Sequence, residues 1–329
     1  MPVFAEGSRP SACGFKVRKS TLNVLLSKIR AYETHSTIGF VLMMKIIDVF
    51  RPMKAGISPL SLGFEPFTRL DNHNESRLMD ENANPRAHYT REYFEKWNYS
   101  DRGLGRFSMY WFARRYYASL VRRFAPRDGG KLLELGCGLG HLLGLLQDDY
   151  ACIGIDLIDY SIEQTKINAP KAEAYQMDVS DIGQFEAGSF SAVVALHLVE
   201  HLPNPQATIG DVYRLLKPNG LFLFATPHPE YSFRRYKDRD NDAIGKDKTH
   251  INCHVPSVWK AWCEEAGFIV KRQFGDGLWD VPYLPIIPKA MQFALFGLPA
   301  FAQVVTRTTW TPLSLGVNQI NIAIKPNSA

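Results

Sequence analysis

The run Leu132-Leu133-Glu134-Leu135-Gly136-Cys137-Gly138-Leu139-Gly140-His141 decides how the rest of this chain is read. It is a short apolar strand carrying an acid near its end, then three glycines on alternate positions, then the start of an amphipathic segment. Glycine lets the backbone turn sharply and approach a ligand that a Cβ would exclude, and a helix N-terminus that follows such a turn faces that ligand with its free N–H groups.

Short apolar runs alternate with amphipathic segments from Lys131 onward, the pattern of a parallel sheet with crossover helices. The candidate strands are Lys131–Gly136, Ala151–Asp156, Ala172–Asp178, Phe190–Leu196 and Gly220–Thr226. A helix over Pro256–Ala266, a strand over Phe268–Phe274 and a last strand over Asn318–Lys325 complete the series. The expected fold is α/β: a Rossmann-like, doubly wound, seven-stranded sheet whose last strand is antiparallel.

Residues 1–90 read as an N-terminal helical extension and linker, with helices over Leu22–Tyr32 and Ile38–Phe50 and a Pro/Gly/Asn-rich stretch from Arg51 to Pro85. The catalytic domain is expected over 91–329: a leading helix over Arg91–Ala125, a core at 130–275, an insertion at 276–316 and a final strand at 317–326. The insertion is aromatic, broken by prolines and long for a loop, and is expected to form a lid.

With 329 residues and 46% hydrophobic composition the chain can bury a large core, and its net charge of +5 is too mild for a dedicated nucleic-acid binder. Cys13, Cys137, Cys152, Cys253 and Cys263 include no C-x-x-C pair, so neither a disulfide framework nor a zinc knuckle is expected. The first twenty residues lack a secretory pattern, and the apolar stretches Thr37–Phe50 and Pro282–Val305 are interrupted by charges or prolines. A cytoplasmic location without a membrane anchor is the expectation.

The glycine spacing departs from the dinucleotide fingerprint G-x-G-x-x-G, which would need glycine where His141 stands, and Glu134 would repel a pyrophosphate. An acid at this turn suits a cationic or zwitterionic ligand, and the amino-acid end and sulfonium of S-adenosylmethionine have that character. Asp156 ends the next strand, placed to accept from a ribose diol or, alternatively, to cap a helix. Asp178 ends the third strand, where it can accept from an adenine amino group with Val179 on the ring.

Glu134 to Gly140, Asp156, Asp178, the segment Phe190 to Leu202 and Leu215-Leu216-Lys217-Pro218-Asn219-Gly220-Leu221, taken in order, resemble the class I S-adenosylmethionine-dependent methyltransferases, more narrowly the group that includes the ubiquinone- and menaquinone-biosynthesis enzymes. The resemblance covers about residues 130–275. It implies that Glu134, Gly136, Gly138 and Gly140 surround the amino-acid part of the cofactor, Asp156 the ribose, Asp178 and Val179 the adenine, and His197 the wall near the sulfonium. Cys137 in the turn and Leu157 beside Asp156 complete the expected cofactor set.

Methyl transfer from a sulfonium needs alignment and exclusion of water, and an oxygen acceptor also needs its proton removed. His201, with Glu200 to orient it, is the expected base, and His250 the second candidate; Glu200 and His201 also read as a plain strand-to-helix turn before Pro203. His197, Glu200, His201, His250 and His254 offer ligand-type atoms, but no tight spacing supports a metal, and none is expected.

The expected reaction is O-methylation of a small or lipid-like hydroxylated acceptor. An N- or C-methyltransferase on the same scaffold and a non-catalytic partner protein remain as alternatives. The basic, aromatic stretch Tyr110–Arg123 permits an RNA partner, which the absence of an Asn-Pro-Pro-Tyr element after the fourth strand disfavours. The insertion's aromatic residues, Trp279 to Trp310, permit peripheral contact with a membrane.

Overall fold

The computed structural model describes residues 108–237 and 241–327. The expected helices over Leu22–Tyr32 and Ile38–Phe50, the linker, and the first half of the leading helix lie outside the described residues.

Helix α1 (Met109–Phe124) begins where Ser108 Oγ accepts from the Trp111 N–H at 3.0 Å and stops at Ala125, the residue before Pro126. Then follow β1 (Lys131–Leu135), α2 (His141–Leu146), β2 (Ala151–Asp156), α3 (Asp159–Asn168), β3 (Glu173–Gln176), β4 (Phe190–Leu196), α4 (Pro205–Leu215) and β5 (Leu216–Pro227). After α5 (Ala243–Lys246) and α6 (Pro256–Glu265) come β6 (Ile269–Gly275), α7 (Lys289–Gln292), α8 (Leu298–Thr306) and β7 (Asn318–Ile324).

The seven strands form one sheet in the order β3-β2-β1-β4-β5-β7-β6. The first five pair in parallel, and β7 runs antiparallel to both β5 and β6. Strand order reverses between β1 and β4, which opens a crevice beyond their C-terminal ends, the ligand position of open α/β sheets.

Successive strand residues point to opposite faces, and the core divides accordingly. Leu132, Ala192 and Val194 pack with Tyr116, Leu120 and Leu142 on the α1 and α2 side. Leu133, Leu135 and Val193 pack with Ile209, Val212 and Trp259 on the α4 and α6 side. Both faces of β4 are therefore apolar, and all seven of its residues are buried.

The segment between β6 and β7 folds as α7 and α8 joined by a single π turn, Phe293–Gly297. Two buried glutamines hold it. Gln292 Oε1 accepts from the N–H groups of Tyr283 and Leu284, while its amide donates to the carbonyls of Leu284 and Ile287. Gln303 donates to the Gly275 carbonyl at 3.0 Å and accepts from the Thr311 N–H at 2.8 Å. A small third core of Tyr231, Ile244, Leu278, Tyr283 and Val317 ties this segment to the β5–α6 connection.

Candidate active site

β1, β2, β4, β5 and β6 all end on one edge of the sheet, and the sequence-derived residues gather there. Gly136, Gly138 and Gly140 all take left-handed φ angles of 65°, 52° and 73°. At Gly140 no side chain fits: a Cβ would lie 2.7 Å from Thr165 Cα. Thr165 Oγ1 in turn donates to the Gly138 carbonyl at 3.0 Å, so α3 clamps the turn from behind. Cys137 is buried in it with Sγ 3.5 Å from Thr165 Oγ1, and burial pushes its thiol up, so it stays protonated and serves as packing.

Glu134 is buried at the mouth of this turn, and its Oε2 has no hydrogen-bond partner among the described residues. Burial pushes its carboxyl up to about 8; the charge of Asp156 adds to this, and the Arg114 guanidinium opposes it. A carboxylate desolvated without a partner is costly unless a ligand supplies one. The orphaned oxygen, beside a turn that a Cβ would fill, fits the ammonium of an amino-acid-bearing cofactor.

A pH consequence follows. The folded carboxyl keeps its proton above the point where the unfolded chain releases it, so its penalty on the ligand-free fold grows as pH rises from about 4.5 to about 8. Glu134→Gln without ligand is therefore expected to be more stable than the wild type above pH 8, by on the order of 3 kcal/mol, and equal to it below pH 4. Thermal unfolding of both proteins across this range checks it; parallel curves would contradict it.

Asp156 is partly buried with both oxygens in use: Oδ2 accepts from the Gly138 N–H at 2.9 Å and Oδ1 from the Ile158 N–H at 3.0 Å. Burial raises its pKa against these bonds. It thus braces the glycine turn and ties down the backbone just before α3, whose N-cap residue is Ile158. Leu157 lies next to it, its carbonyl accepting from Gln176 Nε2 at 3.2 Å. Asp178 is exposed, and its Oδ1 accepts from the Ser180 N–H at 2.8 Å; Val179 packs on the sheet's second core.

At the end of β4, His197 adopts φ 55°, rare for a residue with a side chain, and its N–H is held by the Ala225 carbonyl at 2.9 Å. Its Nδ1 is 3.5 Å from Glu200 Oε1, and 41% of its side chain is exposed. Glu200 is fully buried, and neither carboxylate oxygen has a hydrogen-bond partner among the described residues. Its backbone carbonyl accepts from the N–H groups of Ile251 and Asn252, which brings the distant 250 loop to the site.

His201 Nδ1 meets the Thr249 carbonyl at 3.0 Å, which leaves Nε2 as the basic atom, 4.0 Å from Glu200 Oε1. Burial lowers the pKa of His201, with Glu200 acting against it, so the ring is neutral at physiological pH. The His250 ring lies 4.9 Å from that of His201 and contacts the Ile244 carbonyl through Nδ1. Glu200, His201 and His250 each present a donor atom within 4.8 Å of the others, a carboxylate and two imidazoles of a type that suits a divalent cation. Sequence spacing does not reveal this group, because chain folding alone brings His250 to it. His254 points elsewhere, packing edge-on against Trp262.

Three site residues escape the sequence reading. Asp276, one position past β6, has its carboxyl pushed up to about 6 by burial, while Asn318 N–H and Nδ2 donate to it and the charge of His197 favours its ionised form. An acid at a strand end was the available signal, hidden because the segment reads as insertion. Tyr110 and Arg114 of α1 cover the glycine turn: Tyr110 Oη lies 3.3 Å from His141 Nδ1, and Arg114 stacks on the Tyr110 ring while biasing Glu134. Their helical spacing showed a basic aromatic stripe but not what it covers.

Residues 110–273 match the protein family described as "Methyltransferase domain". Residues 110–273 belong to the class I S-adenosylmethionine-dependent methyltransferases. Curated relatives include an S-adenosyl-L-methionine-dependent Diels-Alderase of Talaromyces variabilis, 26% identical over 51% of this chain and 63% of that protein. A ubiquinone biosynthesis O-methyltransferase of Paracidovorax citrulli is 30% identical over 31% of this chain and 45% of its own length. A sterol 24-C-methyltransferase of Debaryomyces hansenii is 26% identical over 45% of this chain and 43% of its own. The match to these relatives spans less than two thirds of their length.

Proposed function

We propose that the whole chain transfers the methyl group of S-adenosylmethionine to a hydroxyl of a small or lipid-like acceptor. The observation that carries this is the buried carboxyl of Glu134, whose Oε2 has no partner among the described residues, beside the glycine turn that Asp156 braces at the strand-order reversal. S-adenosylmethionine, when bound, supplies an electrophilic methyl carbon next to a sulfonium.

This chain's residues do the rest. Glu134 holds the cofactor's ammonium, Asp156 its diol, and Leu157, Asp178 and Val179 its adenine, while His197 walls the side towards the acceptor. His201 takes the acceptor proton on Nε2, being neutral near pH 7 as a base must be. Glu200, desolvated between His197 and His201, stabilises the imidazolium that forms. His250 holds the far side of the pair.

The division of the chain into an N-terminal extension at 1–90 and a catalytic domain at 91–329 belongs to the same proposal, as does the lid role of the insertion. So does a cytoplasmic location: no helix among the described residues is long and apolar enough to cross a membrane, and the four described cysteines are thiols.

The test is a screen of quinols, hydroxylated lipids and sugars with methyl-labelled cofactor, followed by His201→Ala on whichever acceptor is labelled. A loss of about 100-fold or more near neutral pH, which shrinks as the pH falls and the wild-type ring takes up its own proton, supports oxygen as the methylated atom. An unchanged rate would overturn it in favour of carbon or nitrogen, and the sterol C-methyltransferase among the relatives makes carbon the reading to take up next.

A further inference from the structure

Among the described residues, most of the exposed large apolar side chains lie on the β6–β7 insertion. Met291, Leu295, Leu298 and Val305 are exposed at spacings of four, three and seven, which puts them on one side of the continuous helical run from α7 through the π turn to α8. Gln292, Ala300 and Gln303 are buried on its other side. Ile286, 94% exposed, and Trp310, 56% exposed, add apolar side chains just before and just after the run in sequence. Nothing in the third core needs these side chains, since Tyr231, Leu278 and Tyr283 fill it from within.

The charges around the strip are one-sided. The sequence from 281 to 329 contains no Asp or Glu, and Lys289 and Arg307, both exposed, stand at the two ends of the helical run. Phe112 packs edge-on against Phe301 with centroids 5.0 Å apart, which brings α1 alongside; α1 also has no acid and carries Arg115 exposed. An apolar strip on an acid-free segment, with Lys289, Arg307 and Arg115 exposed on it and on α1, matches an anionic lipid surface, where aliphatic side chains enter the acyl boundary and Lys and Arg meet headgroup phosphates. Two copies of this chain meeting through the strip would set cation against cation, so self-association is the poorer occupant.

We propose that the outer face of α7, the π turn and α8 docks this protein on an anionic lipid bilayer. The docking stands whether or not the methyl acceptor is itself a lipid. Because the insertion begins directly after Asp276 at the ligand edge of the sheet, the docked protein holds its active-site edge next to the insertion's lipid contact.

The test is flotation of the full chain with vesicles of phosphatidylcholine alone or of phosphatidylcholine mixed with phosphatidylglycerol. The wild type is expected to float with the mixed vesicles, and raised salt to weaken the association. The variant Met291→Asp/Leu295→Asp/Leu298→Asp is expected to lose at least about 100-fold in vesicle affinity, because three buried apolar anchors become charges. Lys289→Glu/Arg307→Glu is expected to lose about fivefold or more per residue on anionic vesicles only. Calorimetry with S-adenosylmethionine on the same variants is expected to match the wild type, which separates failure of docking from failure of the cofactor site. Three results would overturn the proposal: no flotation of the wild type, flotation that survives the triple variant and so resides in residues 1–107, or a dimer in sedimentation that the triple variant dissociates.

Discussion

Gly140→Val is expected to abolish cofactor binding and to cost about 2–5 kcal/mol of stability. Two effects add. Gly140 sits at φ 73° at the N-terminus of α2, where a β-branched residue pays roughly 1–2 kcal/mol for left-handed backbone. Its Cβ would also lie 2.7 Å from Thr165 Cα and Cγ2, the first a contact with helix backbone that no rotamer relieves, and overpacking of this sort costs about 1–3 kcal/mol. Because Thr165 Oγ1 is bonded to the Gly138 carbonyl, pushing α3 away also releases the turn that faces the ligand. Urea unfolding reads the stability loss, and calorimetric titration of the variant at low temperature, where it is still folded, reads the binding loss. Wild-type affinity in a folded Gly140→Val protein would remove the glycine turn from the cofactor site.

Asp156→Ala is expected to reduce affinity for S-adenosylmethionine by at least about 100-fold. Its carboxylate is the acceptor for the Gly138 and Ile158 N–H groups, and a part-buried N–H left without a partner costs about 1–3 kcal/mol. The ligand loses its own contact to the carboxylate in addition, worth a further ~1.5–3 kcal/mol for a charged hydrogen bond. Asp156→Asn keeps one acceptor oxygen and is expected to fall between the two. Equal affinities for wild type and Asp156→Ala would confine Asp156 to its bracing role.

Legibility in the sequence followed the range of the interactions. β2 and β4 are read to the residue, because each is an apolar run ended by a polar residue or a turn. β5 is longer than its apolar run: its Leu216–Asn219 start is carried by pairing of Leu216 with Phe190 rather than by its own pattern. The glycine turn is legible because its left-handed backbone demands glycine, and Asp156 and the β4-end histidines because they stand at or just past the end of an apolar run. Asp276, Arg114 and the approach of His250 to Glu200 are not, because long-range packing creates them: a hydrogen bond from Asn318, a helix laid over the turn, and a loop held by the Glu200 carbonyl. The insertion reads as a broken aromatic stretch, and only in three dimensions do Gln292 and Gln303 explain how it is ordered.

The buried turn around Glu134 and Asp156 is proposed to hold S-adenosylmethionine. Calorimetric titration of the full chain with S-adenosylmethionine and S-adenosylhomocysteine tests it most directly. Saturable binding of both, near one ligand per chain and in the micromolar range, is the predicted result; no heat and no thermal stabilisation with either ligand, in a protein shown by circular dichroism to be folded, would contradict it.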